Sequence, residues 1–143
     1  MEIRKLLTTD IDKVVELWYE TSIIAHDFIS SNYWKKNREA MATTYLPNSE
    51  TYLAIEDEKI VGFVAMSEGF LAAIFVDKRT QEKGIGKTLL NFVKNTRTSI
   101  QLEAYTKNTK TVDFYRSQGF SIKSKNKEKE TGENQFLMEW NKE

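Results

Sequence analysis

The chain has 143 residues, enough for one domain with a real interior, and it balances 21 lysines and arginines against 21 aspartates and glutamates. Without net charge it carries no electrostatic footprint for nucleic acid or an anionic membrane surface. Without cysteine it has no disulfide, thiolate metal site or cysteine nucleophile, and a cytoplasmic protein is the plain expectation. The opening MEIRKLLTTDIDKVV is charged and mixed rather than signal-like, and no apolar run nears the ~20 residues of a membrane-spanning helix.

In chain order, EIRKLL alternates as a strand does and meets TTDID, where Thr9 or Asp10 can cap a helix. Ile11, Val14, Val15, Trp18 and Ile23 then recur at helical spacing to about residue 25. A second helical stretch, roughly 30 to 45, carries Tyr33, Trp34, Met41 and Tyr45 and stops ahead of Pro47. ETYLAIEDEKIVGFVAMSEGFLAAIFVD reads as three strands, the first two joined at Asp57-Glu58-Lys59 and the third set off at Glu68-Gly69. The middle strand, Ile60 to Met66, is apolar at nearly every position, so both of its faces are expected to be covered. A helix from about Gly84 to Asn95, a strand SIQLEAY and a helix from about Asn108 to Gln118 follow. GFSIKSKNKEKE, a turn at Thr131-Gly132 and NQFLMEW close the chain as an antiparallel hairpin, its Lys/Glu run at 123–130 a solvated arm. No repeat or linker interrupts this order. Residues 1–143 are therefore expected to form a single mixed α/β domain with helices on both faces of its sheet.

The segment KRTQEKGIGKT lies between a strand and a helix and ends in Gly-Lys-Thr, as a nucleotide phosphate loop does. Such a loop needs a further glycine where this chain has Gln81, so the Walker pattern fails. The dinucleotide fingerprint fails as well, with Leu89 in place of a third glycine. Free N–H groups at a helix start still make an anion site, and Gly84 and Gly86 let the backbone approach an anion and take unusual dihedrals. Lys83 and Lys87 add positive charge. The alternative is that the glycines only shape a tight strand-to-helix turn. Further on, Asn108 and Tyr115 stand almost two turns apart on one helix side, and Gly119-Phe120 follows where the helix should stop.

Gln81, Gly84 and Gly86, followed by Asn108, Tyr115, Gly119 and Phe120, resemble the pyrophosphate and later motifs of the GNAT superfamily of acetyl-coenzyme A-dependent N-acetyltransferases. The order of elements agrees from end to end. EGFLAAIFV and YTKNTKTVDFYRSQGF look most similar to small bacterial peptidyl-lysine N-acetyltransferases of that superfamily. One departure is Lys78, where many members carry proline; it alters the stiffness of the turn and removes no anion-binding group. The resemblance implies a central, mostly antiparallel sheet of about seven strands, splayed in the middle, with helices on both faces.

It also implies acetyl-coenzyme A as cosubstrate, no metal, and an amine acceptor, on a monomer or homodimer that binds neither nucleic acid nor membrane. Gln81, Glu82, Lys83, Gly84, Ile85, Gly86 and Lys87 would hold the pyrophosphate, with Ile74, Phe75, Val76 and Asn108 along the pantetheine arm. An N–H of Ile74 or Val76 could polarise the thioester carbonyl, the choice between them being open. Asn108 could instead only cap its helix. Tyr115 is the candidate acid for the leaving thiolate, or else a core aromatic. Glu103 could draw the acceptor's proton through water, or be a solvated strand residue. His26, a rival candidate for the base or else a substrate contact, and Phe70 border the expected acceptor pocket, and either could instead be structural. The acceptor is expected to be a protein lysine, with a small-molecule amine as the rival. A non-catalytic acyl-coenzyme A sensor and a partner-binding domain with an empty loop are the readings from other classes.

Overall fold

A computed structural model describes residues 1–143 except for the side chains of residues 81 and 82. Strand β1 (Glu2–Lys5) leads through a short 3-10 turn into α1 (Ile11–Ala25). Asp10 does not cap α1 with its side chain. It accepts the Leu7 N–H at 2.8 Å and both Arg4 guanidinium nitrogens, at 2.7 and 3.0 Å, closing the turn that precedes α1. The Arg4 hydrogen bonds hold that buried carboxyl below its ordinary range.

The single helix expected over 30–45 is broken in two places. It runs as α2 (Ser31–Lys36), one short turn α3 (Arg38–Ala40) and a π turn at Met41–Tyr45. Asn37 is the reason for the first break: its Nδ2 donates to the Tyr33 carbonyl at 2.7 Å, competing with the backbone ladder. The apolar spacing survives the breaks, so Trp34 and Met41 still point inward.

Strands β2 (Glu50–Glu56), β3 (Lys59–Ser67) and β4 (Phe70–Val76) form a meander. The first turn consists of Asp57 and Glu58 alone, both at positive φ (51° and 65°), and Lys59 already belongs to β3. Then come a 3-10 turn, α4 (Ile85–Lys94), β5 (Ser99–Tyr105), α5 (Thr109–Ser117), β6 (Ser121–Lys127) and β7 (Asn134–Asn141). The sheet order is β1-β2-β3-β4-β5-β7-β6, antiparallel throughout except between β4 and β5.

Those two central strands pair at a single position, Phe70↔Gln101, and diverge beyond it. An extra residue, Ala72, bulges from β4 just past this point, where the register shifts between Ala65 and Met66. The sheet therefore splays in its middle, as the resemblance implied.

Two cores fill the two faces. Val14, Val15, Trp18 and Trp34 pack on one side with Leu53 and Phe63. Leu89, Leu90, Val93, Val112 and Tyr115 pack on the other with Val64, Leu102 and Met138. Every residue of β3 from Val61 to Met66 is buried, as its unbroken apolar run predicts. Lys94 joins α4 to the end of α5. Its Nζ donates to the Gln118 carbonyl at 2.5 Å and lies 5.1 Å from the Trp140 ring centre.

Gly62 sets how closely α4 approaches the sheet. A Cβ there would lie 2.9 Å from the Phe75 carbonyl oxygen and 3.3 Å from both Ile85 and Leu89. Gly62→Ala is accordingly expected to cost about 1–3 kcal/mol of stability through overpacking, read as a lower urea midpoint with an unchanged m-value.

Candidate functional site

The loop after β4 ends at Gly84, whose φ of 76° is left-handed and suits glycine. Among the described residues no side chain caps α4, and its first intrahelical bond is Thr88 N–H to the Gly84 carbonyl, at 3.1 Å. The N–H groups of Ile85, Gly86 and Lys87 thus face outward at the positive end of the helix dipole, a ready anion site.

The two glycines have different reasons to be there. Only Gly84 takes an unusual dihedral, whereas Gly86 sits in the first helical turn. A Cβ on Gly86 would make ordinary contacts, 3.5 Å from Phe114 and 3.7 Å from Val76. The expectation of strained dihedrals at both positions is corrected to one. Ile85 sends its side chain into the core and has only its N–H to offer. Lys83 reaches Glu56 at 3.4 Å, while Lys87 stays exposed beside the loop. Gln81 and Glu82 lie outside the described side chains.

On β4, Asp77 N–H donates to the Val61 carbonyl at 2.8 Å, which fixes the phase of the ladder. Alternation then turns the backbone groups of Phe75 and Ala73 toward β3, and those of Ile74 and Val76 toward the splay. Phe75 therefore has no backbone group on the open side, and its ring stacks on Phe63 with centres 5.7 Å apart.

A cleft of about 1490 Å³ runs through the splay from the start of α4 to the aromatic residues of α1 and α2. It brings together Ile74–Val76, Gly84, Gly86, Lys87, Asn108 and Tyr115 with Phe70, Glu103 and His26. Lys83 and Ile85 do not line it.

Tyr115 is buried between Phe114 and Phe120, and burial raises its hydroxyl above the ordinary range. It is therefore protonated at neutral pH, the state a proton donor needs. Asn108 caps α5, its Oδ1 accepting the Thr111 N–H at 3.3 Å, which leaves its amide hydrogens for another partner.

Glu103 alternates with buried Leu102 and Ala104, as its strand pattern predicts. Its Oε2 accepts from Gln135 Nε2 at 2.9 Å and Asn126 Nδ2 at 3.2 Å. His26 ends α1 and stacks on Trp34 at 5.2 Å, with Phe28 and Tyr105 edge-on. Burial lowers it to about 4, partly offset by the Ser22 carbonyl and the Glu128 charge, so it is neutral at physiological pH.

Tyr105, Glu128 and Glu130 also line this cleft and escaped the reading of the sequence. For Tyr105 a signal existed, since it alternates onto the same face as Glu103. For the glutamates none did: a Lys/Glu run reads as solvated whichever of its members folds inward. Among the described residues, no group of three or more His, Cys, Asp or Glu could hold a metal ion, and no helix is long and apolar enough to cross a membrane.

The acetyltransferase (GNAT) domain family model matches residues 47–122. Peptidyl-lysine N-acetyltransferase YiaC of Escherichia coli (strain K12) is 36% identical over 139 residues, covering 96% of this chain and 95% of the relative. Peptidyl-lysine N-acetyltransferase YjaB of Salmonella typhimurium is 26% identical, with 85% and 84% covered. Among solved structures, apo YjaB from Escherichia coli superposes with a TM-score of 0.86 at 19% identity, over 99% of this chain and 98% of that one. PaiA N-acetyltransferase from Thermoplasma acidophilum, in complex with coenzyme A, gives 0.82 at 20% identity, with 98% of each chain covered. At those identities the structural likeness shows the fold.

The depressed His26 makes stability pH-dependent, and the sign follows from proton counting. Between about 4 and the unfolded value of ~6.5, the unfolded chain binds the extra proton, so this contribution is complete above that window and disappears on acidification through it. The unfolding free energy of the parent, from urea titrations, should fall across that window by up to about 3 kcal/mol more than that of His26→Phe.

Proposed function

The chain belongs to the GNAT acetyltransferase family, and on that premise we propose that it acetylates the side-chain amine of protein lysines from acetyl-coenzyme A. The observation that carries this is the splay between β4 and β5, which opens directly onto the uncapped start of α4. A pyrophosphate and an extended pantetheine chain need an anion site continued by an open strand edge, and the residues present fit both.

The N–H groups of Ile85, Gly86 and Lys87 would take the pyrophosphate, with Lys87 adding charge. The Ile74 backbone on the splayed edge of β4 and the Asn108 amide would hold the arm, with Val76 lining the same cleft. Acetyl-coenzyme A supplies an activated acyl group, so the protein needs no nucleophile of its own. What remains for the protein is positioning and proton handling. An N–H on the β4 edge would polarise the thioester carbonyl, Tyr115 would give its proton to the departing sulfur, and Glu103 would take the amine's proton through water.

A protein acceptor is favoured by the lip of the cleft. Ile24 and Tyr45 line it and are 57% and 54% exposed, apolar surface of the kind that marks a contact with another chain. The 36% identity to a peptidyl-lysine N-acetyltransferase supports the same acceptor.

Coenzyme A should raise the melting temperature, by about 2.7 kcal/mol of added stability at a hundredfold excess over Kd, and ATP should not. No shift and no calorimetric heat with coenzyme A would overturn the reading. Tyr115→Phe keeps the ring's packing and should lower turnover by about 10²-fold while leaving coenzyme A affinity unchanged. Full turnover in a folded variant would return Tyr115 to a packing role. Glu103→Gln should slow the reaction across the whole neutral range of a pH–rate profile, with His26→Ala leaving the profile's shape intact. An ionisation present in the parent and lost in the His26 variant would reverse that assignment.

A further inference from the structure

At the end of the cleft away from α4, two walls of different chemistry face one space. One is aromatic: His26, Tyr33, Trp34 and Tyr105 line it, with His26 in ring contact with Trp34 and Tyr105, and Tyr33 with Trp34. The other is the turn between β6 and β7, which brings Glu128, Lys129 and Glu130 to the same cleft. The turn is tightly held. Glu128 accepts from the Tyr105 hydroxyl at 2.6 Å and from Thr131 Oγ1 at 2.7 Å, and the Gly132 N–H donates to the Glu128 carbonyl at 2.8 Å. Glu130 stands against the Tyr33 hydroxyl.

These carboxylates are electrostatically uncompensated. None of the ion pairs formed among the described residues involves Glu103, Glu128 or Glu130. Lys107, the neighbouring cation, is spent on Glu133 at 3.0 Å, and Lys129 pairs with neither glutamate beside it. The negative field reaches the aromatic wall. Burial pushes the Tyr33 hydroxyl up to about 12, and the charges of Glu128 and Glu130 add to the effect; Glu128 acts on His26 and Tyr105 as well.

A second observation concerns Trp34. It is only 6% exposed, it belongs to the cleft wall, and its indole N–H has no hydrogen-bond partner. A buried unsatisfied donor is a standing cost, relieved when an acceptor oxygen reaches it. A polyamine has no such oxygen, whereas a peptide has one at every residue.

Resting on the acceptor assignment above, we propose that Glu128 and Glu130 read a second positive charge on the acceptor, so that the preferred substrate is a lysine in a peptide segment with an arginine or lysine beside it. The acceptor lysine runs its apolar stem along the aromatic wall toward β4. The neighbouring cation meets the turn between β6 and β7, and a peptide carbonyl is within the chemistry Trp34 can satisfy. Charge selects here more than it tightens, since a carboxylate next to the acceptor lysine meets like charge.

The test uses blocked peptides with one acetylatable lysine and, on either side of it, arginine, glutamine or glutamate, with spermidine as a comparison amine. Thiol release and acetylated mass are read together. The parent should show kcat/KM in the order arginine, glutamine, glutamate, with arginine about tenfold above glutamine, and the gap should narrow as salt rises. Glu128→Gln/Glu130→Gln should bring the arginine and glutamine peptides within about twofold of each other. Because Glu128 also holds the turn, Glu130→Gln alone and the parent's salt dependence decide the matter if the double variant fails to fold. Equal rates for arginine and glutamine peptides in the parent overturn the inference and leave lysine acetylation standing. Spermidine used faster than any peptide overturns it in favour of a small polyamine. Acetylation of nothing, in a protein that binds coenzyme A, overturns both this inference and the acceptor it rests on.

Discussion

Almost everything in this molecule depends on two neighbouring strands that decline to pair. β4 and β5 meet at Phe70↔Gln101 and part immediately, helped by the bulge at Ala72. An open seam in the middle of a sheet exposes backbone donors and acceptors that normally satisfy one another, so it persists only where other contacts hold the two halves in place. Here α4 and α5 bridge the seam on one face through the core around Leu89, Val112 and Tyr115. Lys94, partly buried, fastens the ends of those helices together. The other face is filled by the aromatic side chains of α1 and α2.

Burial does opposite things to the two titratable rings beside the seam, with one result. It raises the Tyr115 hydroxyl and lowers the His26 imidazole, so both are uncharged at neutral pH. The rings beside the seam thus carry no charge. Around them Lys87 lies at the start of α4, Glu103 on β5, and Glu128 and Glu130 at the turn between β6 and β7. A substrate pair with an anionic donor and a cationic acceptor matches that arrangement.

The fold was legible in the sequence because its strongest signals are local and periodic. The apolar run of β3, the alternation in SIQLEAY and the spacing of Val14, Trp18 and their neighbours each follow from one element's packing. The break at Asn37 was not legible, because a single side chain bonding four residues back leaves the apolar pattern intact. The anion site was legible for a partly wrong reason. Gly84 needs its left-handed dihedral, but Gly86 is helical, and its lack of a side chain matters for how near another group can come. The backbone roles along β4 could be narrowed only with the register known, which turns the backbone of Phe75 toward β3 and that of Ile74 and Val76 toward β5. Glu128 and Glu130 were hidden because a charged run does not say which of its members a tight turn folds inward.

The seam also divides the chain in a way that follows its own sequence. Strands β1 to β4 form one antiparallel sheet segment within residues 2 to 76, and β5, β7 and β6 form a second within 99 to 141. Each half closes its hydrogen-bond ladder within itself, and little ladder crosses between them. Partial opening therefore has a natural plane of cleavage: the halves can separate by losing side-chain packing and a single strand pairing while both sheet segments stay whole. The cleft is then a property of docking, absent from either half by itself.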